Sequence, residues 1–450
     1  ERIQGSQVLS SATSKSESYR YDNPKWYAKV DWNITDRNIL ELTGASSKES
    51  FQGKYYDYDN EAKTRGEFSS NDESHKYGSD LYTGKFTSYV TDDLTFTALY
   101  GEMKSTYYTE VPGIDPTLIH IYSPVNQNPA LNGGTIINNA QVLGRVSNPA
   151  HRSKNTNLRL DLSYKLGDHT ITAGIDNQKV SDFDDSTIVS GPGYAWEYGT
   201  KAVGSYIMGG PVANGAGWES RPWVESNNNG YHVAKYLYQN GSTVTTSQRA
   251  QYIEDTWQVT DRWLVKLGLR NDQFINYNGD GVPYLRLTTP QFAPRVGFSW
   301  DVNGDSTFKV YGNAGRYYLA MPASVALRSA GSSLYTREYF NYTGIDSNGY
   351  PTGLTSIPSS TGGPISANLE YGVPRDPKTA AATNLESEYQ DEYILGFDKQ
   401  LSSEWTVGVK ATYRNLRSAI DDVGDSPSIL DKMAAMGIDE ADVGDIFGSY

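Results

Sequence analysis

The sequence contains no cysteine, which excludes disulfide scaffolds, thiolate metal sites and cysteine nucleophiles. Histidine is scarce. Its five residues, at 75, 120, 151, 169 and 232, are scattered without ligand spacing, and none has an obvious paired Ser or Asp in a catalytic context. An enzyme reading has nothing to rest on, and neither a metal nor a cofactor is expected. Basic charge is in deficit: 39 Lys and Arg face 53 Asp and Glu, a formal net charge of −14, with no basic run. Nucleic acid is therefore not an expected partner. No apolar stretch approaches the roughly 18 residues of a spanning helix, and the mean hydropathy is −0.58. Helical membrane proteins are excluded, whereas membrane barrels are not. The chain opens Glu1-Arg2-Ile3-Gln4-Gly5, without initiator Met or apolar leader, so no targeting signal can be read and a processed or partial chain is expected.

What is abundant is tyrosine: 35 Tyr stand beside 12 Phe and 9 Trp, with 43 Gly in 450 residues, a β composition. Apolar and polar residues alternate with period two in about twelve segments, the signature of strands whose faces meet different environments. The cleanest runs from Trp405 to Tyr413, with Trp405, Val407, Val409, Ala411 and Tyr413 interleaved with Thr406, Gly408, Lys410 and Thr412. Leu158, Leu160, Leu162, Tyr164 and Leu166 repeat the pattern against Arg159, Asp161, Ser163 and Lys165. These strands fall into hairpins closed by residues that tolerate tight backbone. The turns are Thr35-Asp36-Arg37, Thr91-Asp92-Asp93, Gly167-Asp168, Thr260-Asp261-Arg262, Gly304-Asp305 and Ser402-Ser403. Between the hairpins lie long connections, roughly 49 to 78, 112 to 153, 186 to 246, 279 to 291 and 323 to 384. Short and long connections strictly alternate.

A soluble propeller or sandwich and a transmembrane barrel both use many short alternating strands. Propeller blades recur at about 40 to 45 residues, but these turns follow no fixed period. A membrane barrel predicts the observed asymmetry of short periplasmic turns and long extracellular loops, with aromatic girdles between. Trp32, Trp257, Trp263 and Trp405 each sit within a few residues of a short turn, the place for a membrane-interface ring; ordinary core tryptophans are the alternative. The expected fold class is all-β, a transmembrane antiparallel up-and-down β-barrel, with residues 1–423 its barrel portion of about twelve strands in six hairpins. Residues 424–450 do not alternate and are expected to begin an extracellular loop or form a truncated tail.

Particular segments carry a family resemblance. Gln251-Tyr252-Ile253-Glu254-Asp255-Thr256-Trp257-Gln258-Val259 with Leu267-Gly268-Leu269-Arg270-Asn271-Asp272 resembles a hairpin of TonB-dependent receptors, the plugged 22-stranded outer-membrane transporters. Phe292 to Phe298, Tyr311 to Tyr318 and Tyr389 to Phe397 are similar too, and together they look most like the Oar-like branch. The resemblance is strong over about residues 247 to 420 and rests on hairpin rhythm before that. It implies an outer-membrane protein of a Gram-negative bacterium, surrounded by lipid and lipopolysaccharide. It also implies capture of an extracellular ligand by outer loops, and import driven by a TonB-type complex through a plug domain not found in this chain. The terminal aromatic strand of such barrels is likewise not found.

The loop aromatics are the candidate ligand-binding residues. Trp196, Trp218, Trp223 and Tyr231 crowd one long connection, and Tyr335 and Tyr339 another; rigid amphipathic rings grip ligands at low entropic cost. Packing of the loops on one another is the alternative. Asp301-Val302-Asn303-Gly304-Asp305 mimics a calcium-loop opening but has Gly312 where the acidic twelfth ligand belongs, so a polar turn is expected. The acidic groups Asp57, Asp59 and Glu61, and Asp182, Asp184 and Asp185, read as solvated loop charge. A second function class also fits the sequence: a barrel that only displays its loops, for adhesion or secretion, without active transport.

Overall fold

The architecture comes from a computed structural model, which describes residues 2–4, 14–71, 74–110, 114–141, 143–148, 151–183, 187–210, 221–240, 243–321, 325, 330–367, 369–374, 384–420, 431, 434, 435 and 437. The expected tail at 424–450 thus lies almost wholly outside the described residues.

Among these residues, twelve long strands form one antiparallel sheet. They are β1 (Lys25–Thr35), β2 (Asn38–Asp59), β3 (Ser74–Tyr89), β4 (Leu94–Glu110), β5 (Arg152–Leu166), β6 (His169–Phe183), β7 (Thr243–Thr260), β8 (Trp263–Tyr277), β9 (Phe292–Asp301), β10 (Phe308–Leu319), β11 (Glu388–Gln400) and β12 (Thr406–Ser418). Each pairs with the next in sequence, from β1–β2 to β11–β12. Ser14–Asp22 extends the edge beyond β1 by pairing with the far half of β2. Pro24 separates the two pieces, and its missing N–H is tolerable on an edge strand.

The six tight turns fall where the Thr-Asp, Gly-Asp and Ser-Ser signals stand. Thr91 Oγ1 accepts from the backbone N–H of Leu94 at 3.0 Å, so the side chain closes the turn. In the β9–β10 turn the Asp301 carboxylate accepts from the N–H groups of Gly304 (3.0 Å) and Ser306 (2.8 Å). Its oxygens brace backbone, as a polar turn requires.

Cross-strand register puts the alternation on two chemically opposite faces. Trp263, Trp300, Val310, Phe397 and Val409 are successive partners in one row, and Leu267, Val296, Ala314, Tyr393 and Tyr413 in another. Many of these side chains are exposed, so this face is apolar and turned outward. The opposite face carries ion pairs. Glu41 takes Lys85 at 2.7 Å and Lys29 at 3.1 Å. Arg270 bridges Asp176 (3.0 Å) and Asp272 (2.9 Å), and Gln248 donates to Asp272 at 2.9 Å. Arg159 pairs with Asp161 at 2.8 Å and donates to the Tyr252 hydroxyl at 2.8 Å, and that hydroxyl donates to Asp161. Gly174 lies beneath this cluster: a Cβ there would sit 2.7 Å from the Asp161 carboxylate and 2.8 Å from the Tyr252 hydroxyl. The expected outcome for Gly174→Val is loss of this cluster and impaired assembly, read as a reduced yield of folded, heat-modifiable protein.

The long connections carry strands of their own. β2 runs on to Asp59, and Thr64–Asn71 returns alongside it. A 22-residue strand is about twice the roughly 9–11 residues that cross a bilayer. Within the connections after β4, β6 and β10, short strands assemble a separate seven-stranded sheet.

Candidate ligand-capture surface in the outer loops

Tyr231–Asn240 is the spine of this second sheet. Its sequence, Tyr-His-Val-Ala-Lys-Tyr-Leu-Tyr-Gln-Asn, is dense in β-formers. On one side it pairs with Leu334–Asn341, Val233 opposite Phe340 and Tyr236 opposite Arg337. On the other it pairs with Ala195–Thr200 and Thr187–Val189. Ala195–Thr200 adds Ile121–Tyr122 in parallel, and Thr187–Val189 adds Arg145–Ser147. Three connections far apart in sequence thus share one backbone ladder.

Both faces of this loop sheet are packed. On one, Ile121, Trp196, Tyr198, Val233 and Tyr342 form a buried cluster. The Tyr198 hydroxyl donates to the Gly349 carbonyl at 2.9 Å, and Asn128 N–H donates to the Tyr342 hydroxyl at 2.8 Å. On the other lie Val224, Ala234, Tyr339, Ile357 and Ile365, and beside them Val189, Ala195 and Tyr236. Burial raises the Tyr198, Tyr236 and Tyr339 hydroxyls above their ordinary range, so all three stay neutral.

Guanidinium groups thread this second face. Arg337 donates to Glu197 at 2.6 Å and lies 5.0 Å and 4.9 Å from the ring centres of Tyr236 and Tyr335. Burial opposes its charge, but the Glu197 carboxylate more than offsets that and holds the group above its ordinary value. Arg145, exposed at the sheet edge, stacks 3.8 Å over Tyr238 and donates to the Tyr236 hydroxyl. Stacked guanidinium and phenol groups can hold a ligand carrying carboxylate, phenolate or aromatic groups.

The aromatic residues singled out by sequence are distributed unevenly here. Trp196 and Tyr339 are buried in the two clusters, with Trp196 edge-on to Phe340 at 6.2 Å. Trp223 is half-buried, edge-on to Tyr206 at 5.5 Å, and held through backbone bonds to Ser360. Tyr231 and Tyr335 are half-buried, Tyr335 edge-on to Tyr236 and Tyr238 at 5.7 Å each. Trp218 lies outside the described residues. Sequence reasoning missed Arg145, Glu197, Tyr236, Tyr238 and Arg337; the density of β-forming residues in 231–240 and 334–341 was the available signal, and it covers only three of the five. At the other end of the long strands, Trp32, Trp257, Trp263 and Trp405 are exposed beside the short turns. Trp263 stacks on Trp300 at 5.0 Å and Trp257 on His169 at 5.1 Å. Asp59 accepts from the N–H groups of Glu61 and Ala62, each at 2.9 Å, while Asp184 and Asp185 lie outside the described residues. Among the described residues no group of three or more His, Cys, Asp or Glu is placed to hold a metal.

The sequence model of the family described as TonB dependent receptor-like, beta-barrel matches residues 190–433, more than half of the chain. The chain belongs to this family. The TonB-dependent transporter Oar of Myxococcus xanthus is 24% identical over 286 residues, covering 57% of this chain and 25% of that protein. Among solved structures, the ferric yersiniabactin uptake receptor FyuA of Yersinia pestis is 12% identical with a TM-score of 0.38, covering 91% of this chain and 51% of that one. The siderophore receptor PiuA of Acinetobacter baumannii is 11% identical with a TM-score of 0.33, covering 94% of this chain and 64% of that one. The chain thus spans less than two thirds of each relative. Transmembrane barrels turn an apolar face to lipid and a polar face to the lumen, with their longer loops on the extracellular side.

Buried His232 and half-buried His120 are expected to make the loop sheet acid-sensitive. His232 is 7% exposed, and its ring fills the space left by Gly199, whose Cβ would lie 2.3 Å from Nε2. His120 donates through Nδ1 to the Gln141 carbonyl at 2.9 Å. Burial lowers both from the ordinary value; the Gly230 backbone and then the Glu197 charge oppose this for His232, and the Gln141 carbonyl for His120, without cancelling it. The unfolded loops therefore bind more protons, so the stability both rings contribute is present above about pH 6.5 and declines as pH falls below it. Calorimetry of the loop transition should give a lower midpoint at about pH 5 than at about pH 7.5, with a smaller difference in a His120→Gln, His232→Asn double variant. Equal shifts in both proteins would refute this.

Proposed function

We propose that this chain is part of an outer-membrane receptor that captures an extracellular ligand in its loop sheet and imports it with energy from a TonB-type complex. The observation that carries the reading is the co-folding of three loops into one sheet threaded by stacked Arg and Tyr groups, on a barrel of this family. Residues 1–423 would form barrel portion, in a Gram-negative outer membrane among phospholipid and lipopolysaccharide. Trp32, Trp257, Trp263 and Trp405 would anchor it at the periplasmic interface, where exposed rings beside short turns are favoured. The TonB-type complex would act through a plug domain encoded with the whole receptor. In the loop sheet, Arg145, Tyr231, Trp223, Tyr238 and Tyr335 would touch ligand, and Trp218 is retained from the sequence reading. Trp196 and Tyr339 would instead pack the two faces of the loop sheet, one on each, because their rings are already enclosed. Ligand class is the open choice; metal chelates, oligosaccharides and peptides are all candidates.

Depletion of defined metal chelates, oligosaccharides and peptides from the medium tests the reading. Cells with and without the natural gene are compared, each with and without a working TonB complex. Import lost equally on removing either carries the proposal. Surface adhesion that depends on the gene, with no TonB-dependent depletion, would replace transport by display.

A further inference from the structure

The outward face of β2–β6 changes character abruptly. From the turns up to Tyr82, Tyr100 and Leu158 it is apolar, with Leu42, Tyr100 and Leu158 exposed. One to three outward-facing positions further along, Lys48, Lys104, Arg152, Lys154 and Lys179 follow on β2, β4, β5 and β6, with only Asp80 and Glu102 among them. The register brings these together: Asp80 faces Lys104, Lys104 faces Lys154, and Glu102 faces both Tyr82 and Thr156.

The vertical order of charge within the patch matters most. Glu102 receives Lys104 and Lys154, each at 2.8 Å, and Asp80 receives Lys48 at 3.2 Å. The carboxylate side chains are 21% and 31% exposed, while Lys48 and Lys104 are each 55% exposed. The acids are sunk between the strands and the ammonium groups lie over them. Lys104 directly opposite Lys154 is an unfavourable like-charge pair, which the single Glu102 carboxylate only half neutralises. In a chain of net charge −14, five cations against two carboxylates at this height form a local reversal of sign.

We propose that this patch binds the phosphates of lipopolysaccharide lipid A in the outer leaflet. The inference rests on the outer-membrane reading above and adds a specific lipid site to it. Clustered cations beside a membrane surface attract anionic headgroups, and ammonium–phosphate contacts are charge-assisted. The patch begins where the apolar band ends, which is the level of a headgroup whose acyl chains lie along Leu42, Tyr100 and Leu158. Lys104 and Lys154 would hold one phosphate between them, which removes the like-charge penalty.

The test uses the full natural receptor in nanodiscs containing bisphosphorylated lipid A or its dephosphorylated form, with retained lipid counted by native mass spectrometry. A Lys48→Gln, Lys104→Gln, Lys154→Gln variant should retain at least about tenfold less bisphosphorylated lipid A, and dephosphorylated lipid A should distinguish the two proteins little. Glu102→Gln frees both lysines and should raise retention of the phosphorylated form. Heat-modifiable migration is checked first, because a protein that never inserts fails the outer-membrane reading, not the lipid site. If the triple variant does not assemble, Glu102→Gln decides alone. Unchanged retention in the triple variant, equal retention of the two lipids, or no gain in Glu102→Gln would overturn the proposal.

Discussion

Tyr198→Ala should release the extracellular loops while leaving the long strands assembled. Tyr198 is 1% exposed, its ring is edge-on to Tyr342 at 5.2 Å, and its hydroxyl reaches the Gly349 carbonyl. Its carbonyl also accepts from Asn126 Nδ2 at 3.3 Å. One residue thus joins the connections after β4, β6 and β10. Truncating a buried aromatic ring costs about 3–5 kcal/mol, a large share of the roughly 5–15 kcal/mol that holds a typical domain. Because the loop sheet has its own clusters, that loss falls on it and not on the ladder of β1–β12. Limited proteolysis should then cut within 114–141, 187–240 and 334–367, with the strands protected and heat-modifiable migration unchanged. Tyr198→Phe keeps the ring and should cost only about 1–3 kcal/mol, for the carbonyl left without its donor. Protected loops in Tyr198→Ala, or collapse of the strands with the loops, would show that the two sheets are not separable in this way.

Leu267→Arg and Gly268→Arg should differ sharply although the positions are adjacent. Leu267 is exposed in the apolar row with Val296 and Ala314. A cation there enters hydrocarbon, at a cost of about 2–4 kcal/mol near the bilayer centre. Gly268 points to the lumen between Glu254 and Arg295, and the nearest atoms to a Cβ there are 3.8 Å away. An added guanidinium finds room, one opposite charge, one like charge and water. Urea titration of the folded form in lipid vesicles measures the contrast: a much lower midpoint for Leu267→Arg, and a midpoint close to that of the unaltered protein for Gly268→Arg. Equal effects would contradict the assignment of faces.

The long strands were legible because their two faces meet such different surroundings. Trp405 to Tyr413 shows period two at every position, since lipid and lumen each select one parity. Turn chemistry was equally local, as Thr91 and Asp301 brace their own turns. The loop sheet was not legible, for a different physical reason. Its strands are covered on both sides, so Tyr231–Asn240 has Val233 and Tyr236 buried on opposite faces and shows no clean alternation. Its partners also lie far away: Arg337 meets Glu197 across 140 residues, and no local pattern announces such a pair. Tyrosine and tryptophan density marked the right connections, but density alone does not separate a ring that touches ligand from one, like Trp196, that holds the surface up.

The interleaving of the two sheets also dictates an order of events. The ladder joining Ile121, Trp196, Val233 and Phe340 draws on chain segments separated by β5–β10, and closing such distant contacts is slow. Those six strands must be laid side by side before the extracellular ends come within reach of one another. Closure of the loop sheet therefore follows the laying down of β5–β10, and a molecule halted before it would carry unpaired loop strands and no finished surface.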